Sequence, residues 1–98
     1  MQTRVIIIVK GLVQGVGYRY FCYRKAQEYD ITGYAKNLID SSVEVLAEGN
    51  KNLVNDFIKE LKTGPSNSYV KSVYVEELES GSPGSDNAEK NYENFKML

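Results

Sequence analysis

Between residues 4 and 10 the chain reads RVIIIVK, with a β-branched apolar residue at each of the five interior positions. A run this short and this continuous predicts a central strand. The period changes at Tyr18. Apolar positions Tyr18, Cys22, Ala26 and Tyr29, with Phe21 beside them, recur at helical spacing, while Arg24, Lys25, Gln27 and Glu28 take the other side. This predicts a helix of about three turns. ITGYAKN (31–37) and SVEVLAEG (42–49) then read as two strands joined by the turn-forming LIDSS, a hairpin. Asn50 is placed to cap a second helix whose apolar stripe is Leu53, Val54, Phe57, Ile58 and Leu61, and Gly64-Pro65 ends it. YVKSVYVEEL (69–78) predicts a fourth strand, with a bulge where the spacing from Val70 to Val73 breaks the alternation. SGSPGSDNAEKN (80–91) has the composition of a solvated loop, and NFKML could supply a short fifth strand with Phe95 and Met97 on one side.

The resulting order is βαββαβ, the split βαβ of an α+β ferredoxin-like sandwich. Two helices cover one face of an antiparallel sheet that carries a short fifth edge strand. A length of 98 residues suits a single domain spanning 1–98, and 42% hydrophobic with 26% charged residues is ordinary globular usage rather than the signature of disorder. A net charge of −1 and a pI near 5.4 supply no general cationic field, so neither nucleic acid nor an anionic membrane is the expected partner. Cys22 is the only cysteine, which excludes an internal disulfide and any cysteine cluster for a metal; a reducing, cytoplasmic setting is expected. The N-terminus lacks the pattern of a signal peptide, and VIII with its flanking valines is too short to cross a bilayer. The chain contains no histidine. Histidine bases, nucleophiles and metal ligands are thereby excluded, and any chemistry falls to Arg, Lys, Asn, carboxylates, hydroxyls or backbone amides.

The candidate chemistry lies where the first strand meets the first helix, in GLVQGVGYR (11–19). Free N–H groups at a helix start attract anions, and Gly11, Gly15 and Gly17 permit positive φ, which lets consecutive amides form a concave nest. Arg19, on the first helical turn, adds a planar fork matched to two phosphoryl oxygens. The loop is neither a dinucleotide fingerprint nor a Walker A sequence, because no glycine follows Gly17 at the required spacing and no Gly-Lys-Ser/Thr is present. A crossover through the first helix makes the second strand parallel to the first with one strand between them, about 9–10 Å away. Asn37, ending ITGYAKN, therefore emerges at the same sheet edge as the loop. An amide side chain can orient a water but cannot act as a base, so a labile substrate that takes up the water's proton on its own phosphoryl oxygen is the workable partner.

GLVQGVGYR, ITGYAKN and the later Gly-Pro together resemble the acylphosphatases, whose signatures read approximately G-x-V-Q-G-V-x-[FY]-R and G-[FYW]-[AV]-x-N, over about Val5 to Val75. The resemblance implies a ferredoxin-like fold and hydrolysis of the carboxyl-phosphate bond of acyl phosphates without metal or cofactor. It implies that Arg19 and Asn37 are the catalytic residues, Arg19 binding the phosphate and Asn37 positioning the attacking water. Val13, Gln14, Gly15, Val16, Gly17 and Tyr18 would form the phosphate cradle, with Gly15 its most demanding backbone position. The expected partner is a small-molecule acyl phosphate, met by a monomer, with no nucleic acid and no membrane. One departure concerns the hairpin turn, where Asp40-Ser41 replaces the family's usual Asp-Gly. The alternative is a noncatalytic phosphate- or metabolite-binding module that keeps the cradle. An RNA-binding ferredoxin-like domain would need aromatics on its central strands, and VIIIVK and SVEVLAEG have none. Cys22 reads as a core residue, the tyrosines of the first helix as packing, and Glu44 and Glu48 as a solvated strand face.

Overall fold

Among the described residues seven elements follow one another as β1 (Gln2–Leu12), α1 (Tyr18–Glu28), β2 (Thr32–Asn37), β3 (Val43–Asn50), α2 (Lys51–Thr63), β4 (Tyr69–Glu77) and β5 (Phe95–Met97). They are seen in a computed structural model that describes residues 1–78 and 92–98. The loop expected over 80–91 lies outside the described residues. The strands form one sheet in the order β4-β1-β3-β2-β5. β3 runs antiparallel to both β1 and β2, so β1 and β2 point the same way. Val43 is the shared partner of Val9 and Asn37, which sets the end of β2 level with the last core residue of β1. β5 pairs in parallel with β2, and β4 in antiparallel with β1.

Alternation sorts the strands. Val5, Ile7 and Val9 of β1, Ala35 of β2, and Val43, Val45 and Ala47 of β3 turn to one face, where they meet Tyr18, Cys22 and Ala26 of α1 and Val54, Phe57 and Leu61 of α2. The helices thus cover one face of the sheet, as the βαββαβ order requires. Asn50 caps α2, its Oδ1 accepting from the amides of Asn52 (2.9 Å) and Leu53 (3.4 Å). Such a cap contributes about 1 kcal/mol. Gly64, at φ 70°, stops the helix while its amide donates to the Glu60 carbonyl. Leu53, read as part of the stripe, lies exposed at its margin.

The bulge expected in the fourth strand is present. Pairing passes from Lys10 opposite Ser72 to Gly11 opposite Val70, which leaves Lys71 as the extra residue. Gly11, at φ 134°, belongs to this irregularity and not to the nest: a Cβ there would lie 2.1 Å from the Tyr69 carbonyl oxygen. The expectation that Gly11 shares in anion binding is corrected accordingly.

Glu48 also departs from expectation. Its carboxylate is buried and paired with Arg4 (Nε to Oε2, 2.7 Å), and Oε1 accepts from the Tyr92 amide at 2.9 Å. A charge withdrawn from water needs such partners. Glu44 is half-buried and accepts from the Tyr34 hydroxyl (2.6 Å). Burial first, and this bond second, push the Tyr34 phenol well above its ordinary range. Alternation identified which face these glutamates occupy but not that the face is partly covered.

Candidate active site

Loop 13–17 is pinned by its apolar side chains. Val13 is buried, Val16 packs partly against the core, and the buried Tyr18 hydroxyl donates to the Leu61 carbonyl of α2 at 2.7 Å. Between these anchors Gly15 and Gly17 stand at φ 75° and 79°. No atom lies within 4 Å of where a Cβ would be at either position, so glycine is required there by backbone conformation and not by crowding. The two glycines make equal demands on φ, where the sequence singled out Gly15.

The start of α1 differs from the start of α2. Its N-cap is Gly17, and no side chain among the described residues caps it; the Gly17 carbonyl receives the Phe21 amide at 3.0 Å. The first-turn amides therefore remain open toward the loop, with no acidic residue in that turn. Their partial positive charge suits an anion. Arg19 is half-buried beside them and its Nη1 donates to the Leu98 carbonyl. Leu98 is itself held to β2, its amide donating to the Ala35 carbonyl at 2.8 Å. Leu98 thus ties the guanidinium to the sheet.

Asn37 is exposed at the end of β2. Behind it the Leu38 amide donates to the Ser42 carbonyl and the Ser41 amide to the Leu38 carbonyl, with Ser41 at φ 78° where glycine would be unstrained. Asp40 accepts from the Ser42 hydroxyl and, at 3.0 Å, from the Ser42 amide. Those two bonds hold its carboxyl below the ordinary range. Gln14 joins this turn to the loop: its Nε2 donates to the carbonyls of Leu38 (2.8 Å) and Ser42 (2.9 Å). The resemblance implies a place for Gln14 in the cradle and carries no sign of this brace, since both partners are main-chain atoms far along the chain.

Six of the eight expected residues, Val13, Gly15, Gly17, Tyr18, Arg19 and Asn37, line one cleft of about 250 Å³. Gln14 turns to the brace and Val16 packs partly against the core, and neither is among the lining residues. Tyr20 and Met97 complete the lining, and the sequence pointed to neither. Arg19 is the only charged side chain lining it among the described residues. A larger cleft, about 380 Å³, lies at the opposite end of the sheet beside Arg4, Asp30 and Glu48. Its arginine is engaged by Glu48 and no first-turn helix residue is among its described lining residues, so the smaller cleft is the better anion site.

Residues 5–89 match the family model described as Acylphosphatase. The chain belongs to the acylphosphatase family. An acylphosphatase from Chlorobaculum tepidum is 46% identical over 78 residues, 80% of this chain and 85% of that one. A crystal structure of acylphosphatase from Bacillus subtilis superposes with a TM-score of 0.86 at 35% identity, covering 100% of this chain and 99% of the other. An acylphosphatase structure from Coxiella burnetii gives a TM-score of 0.84 at 30% identity, over 99% of this chain and 93% of that one. As a member of the acylphosphatase family the protein is an enzyme that hydrolyses acyl phosphates, and its ferredoxin-like α+β fold is that of its relatives.

Proposed function

We propose that hydrolysis proceeds by in-line attack of a water oriented by Asn37 on a phosphoryl group held by Arg19 and the amides of residues 13–18. The new bond joins the water oxygen to phosphorus; the bond that breaks joins phosphorus to the acyl carboxylate, which leaves with its electron pair. The water's proton passes to a phosphoryl oxygen, since the chain has no histidine and no carboxylate lines the cleft among the described residues. A carboxylate is a good leaving group, so no metal or general acid need assist its departure. Catalysis then rests on positioning and on fixed donors around the developing charge. The observation that carries this reading is the shared cleft, in which an uncapped helix start, Arg19 and Asn37 converge from α1 and from β2.

Phosphate release from an aryl acyl phosphate tests it. Arg19→Ala and Asn37→Ala should each lower kcat/KM by about 10²–10³, as expected for loss of one preorganised donor, with denaturation midpoints near that of the parent. Inhibition by inorganic phosphate should persist in Asn37→Ala and weaken in Arg19→Ala. Near-parental turnover in Asn37→Ala would remove the water-orienting role. Phosphate binding without turnover by the parent protein would favour the noncatalytic module.

A further inference from the structure

The cleft is larger than a phosphoryl group alone needs. Phosphate has five heavy atoms, whereas about 250 Å³ corresponds to roughly eight waters at about 30 Å³ each, so the space also admits part of the acyl group. Because the acyl carbon is one oxygen away from phosphorus, that group must leave the cleft close to Arg19. Two side chains flank this exit. Tyr20 follows Arg19 on α1, and Met97 precedes Leu98, whose carbonyl receives the Arg19 guanidinium. Both are large and exposed, Tyr20 at 55% and Met97 at 49%. Tyr20 is steadied by Tyr23, the rings stacked at 6.1 Å and 23°, so its ring is a prepared surface. Met97 shares its sheet face with the buried Phe95 but lies two residues nearer the cleft, with a flexible thioether able to adapt to what it meets. Among the described residues, Arg19 is the one charged side chain that lines the cleft, and no second one is there to receive another ionic group.

Building on the proposed phosphate site, we infer that Tyr20 and Met97 form an apolar seat for the acyl end of the substrate and select acyl phosphates with aromatic or branched hydrocarbon groups over short or charged ones. The contact is of the kind aromatic rings make with tyrosine and methionine, and each buried carbon adds affinity in proportion to the apolar area it covers.

Calorimetric titration with phenylphosphonate and methylphosphonate tests the seat without turnover. Both carry the same phosphoryl end, and they differ only in the group that would reach Tyr20 and Met97. The parent protein should bind the phenyl compound about tenfold more tightly, the gain expected from burying one or two carbons. Tyr20→Ser and Met97→Ser should each reduce that ratio at least threefold, and Tyr20→Phe should retain it. Equal affinities in the parent, or a ratio unmoved by both serine variants, would overturn the seat while leaving the phosphate site standing. Failure of both phosphonates and of inorganic phosphate to bind would overturn the phosphate site and the seat with it.

Discussion

Gln14→Glu exchanges one NH₂ for one oxygen in an almost unchanged shape, which makes it a sharp test of the brace between the glycine loop and the turn behind Asn37. The parent amide makes two donations, at 2.8 and 2.9 Å, each with a net value of about 0.5–1.5 kcal/mol. Gln14→Ala should therefore cost about 2 kcal/mol, an apparent Tm loss on the order of 10 °C for a chain of this size. Glutamate should cost more, since its ionised oxygens face two carbonyl oxygens in a part-buried place and leave about 1–3 kcal/mol of further desolvation uncompensated. Acid should narrow that gap. The fold disfavours the charged form, so the introduced carboxyl has a folded pKa above its unfolded value of about 4.3. Stability from its protonated form is then fully present below the unfolded pKa and is lost as pH rises through the folded pKa. Denaturant midpoints for the parent and both variants at pH 7 and pH 4 measure this. Because the brace also fixes the spacing between loop and Asn37, kcat/KM in Gln14→Ala should fall about 10–100-fold, the usual consequence of a displacement near 1 Å. A Gln14→Glu protein as stable as the parent at pH 7, or a gap that does not shrink in acid, would refute the reasoning.

Two further outcomes concern stability. Ser41 occupies φ 78° in the hairpin turn, a conformation that costs a non-glycine residue about 1–2 kcal/mol, so Ser41→Gly should raise the unfolding free energy by about 0.5–1 kcal/mol after the added chain entropy is subtracted, read as a higher denaturant midpoint at unchanged slope; a lower midpoint would count against it. Burial pushes the Cys22 thiol far above its ordinary value of 9.0. The unfolded chain ionises first, so stability should fall as pH rises above about 9, with Cys22 contributing up to about 1.4 kcal/mol per pH unit; Cys22→Ala should make the fall from 9 to 10 shallower and leave the part owed to buried tyrosines such as Tyr18 and Tyr34, whose ordinary value is 10.0.

What the sequence disclosed, it disclosed through periodicity and local chemistry. Five β-branched residues in VIIIV can bury one face of a strand, and an asparagine before KNLV can cap a helix, whatever the rest of the chain does. Asn37 was legible as a partner of the loop because the topology alone makes β1 and β2 parallel. Other features depend on atoms that sequence does not bring together. Gln14 meets carbonyls 24 and 28 residues away, and Arg19 meets one 79 residues away. Main-chain carbonyls leave no residue-type signature to search for. Gly11 looked like its neighbours Gly15 and Gly17, yet the close approach of β4 and not a ligand fixes it, which becomes visible only once strand pairing is known.

The same long-range contacts explain how a site made largely of backbone can be stiff. A loop with two positive-φ glycines would be mobile if held only at its ends, and amides that moved would have to be reorganised around each arriving phosphoryl group. Three anchors oppose this. The bulge at Gly11 ties the loop's entry to β4, Gln14 ties its middle to the β2–β3 turn, and the Tyr18 hydroxyl ties its exit to α2. The last contact serves both helices, because the Leu61 carbonyl is one of the end-of-helix acceptors that α2 cannot satisfy internally. Burial holds the Tyr18 phenol far above its ordinary range, so it remains a hydrogen-bond donor throughout the neutral range. Side chains whose partners are remote from the loop in sequence therefore fix the amides on which the proposed mechanism rests, and on that proposal their loss should lower activity.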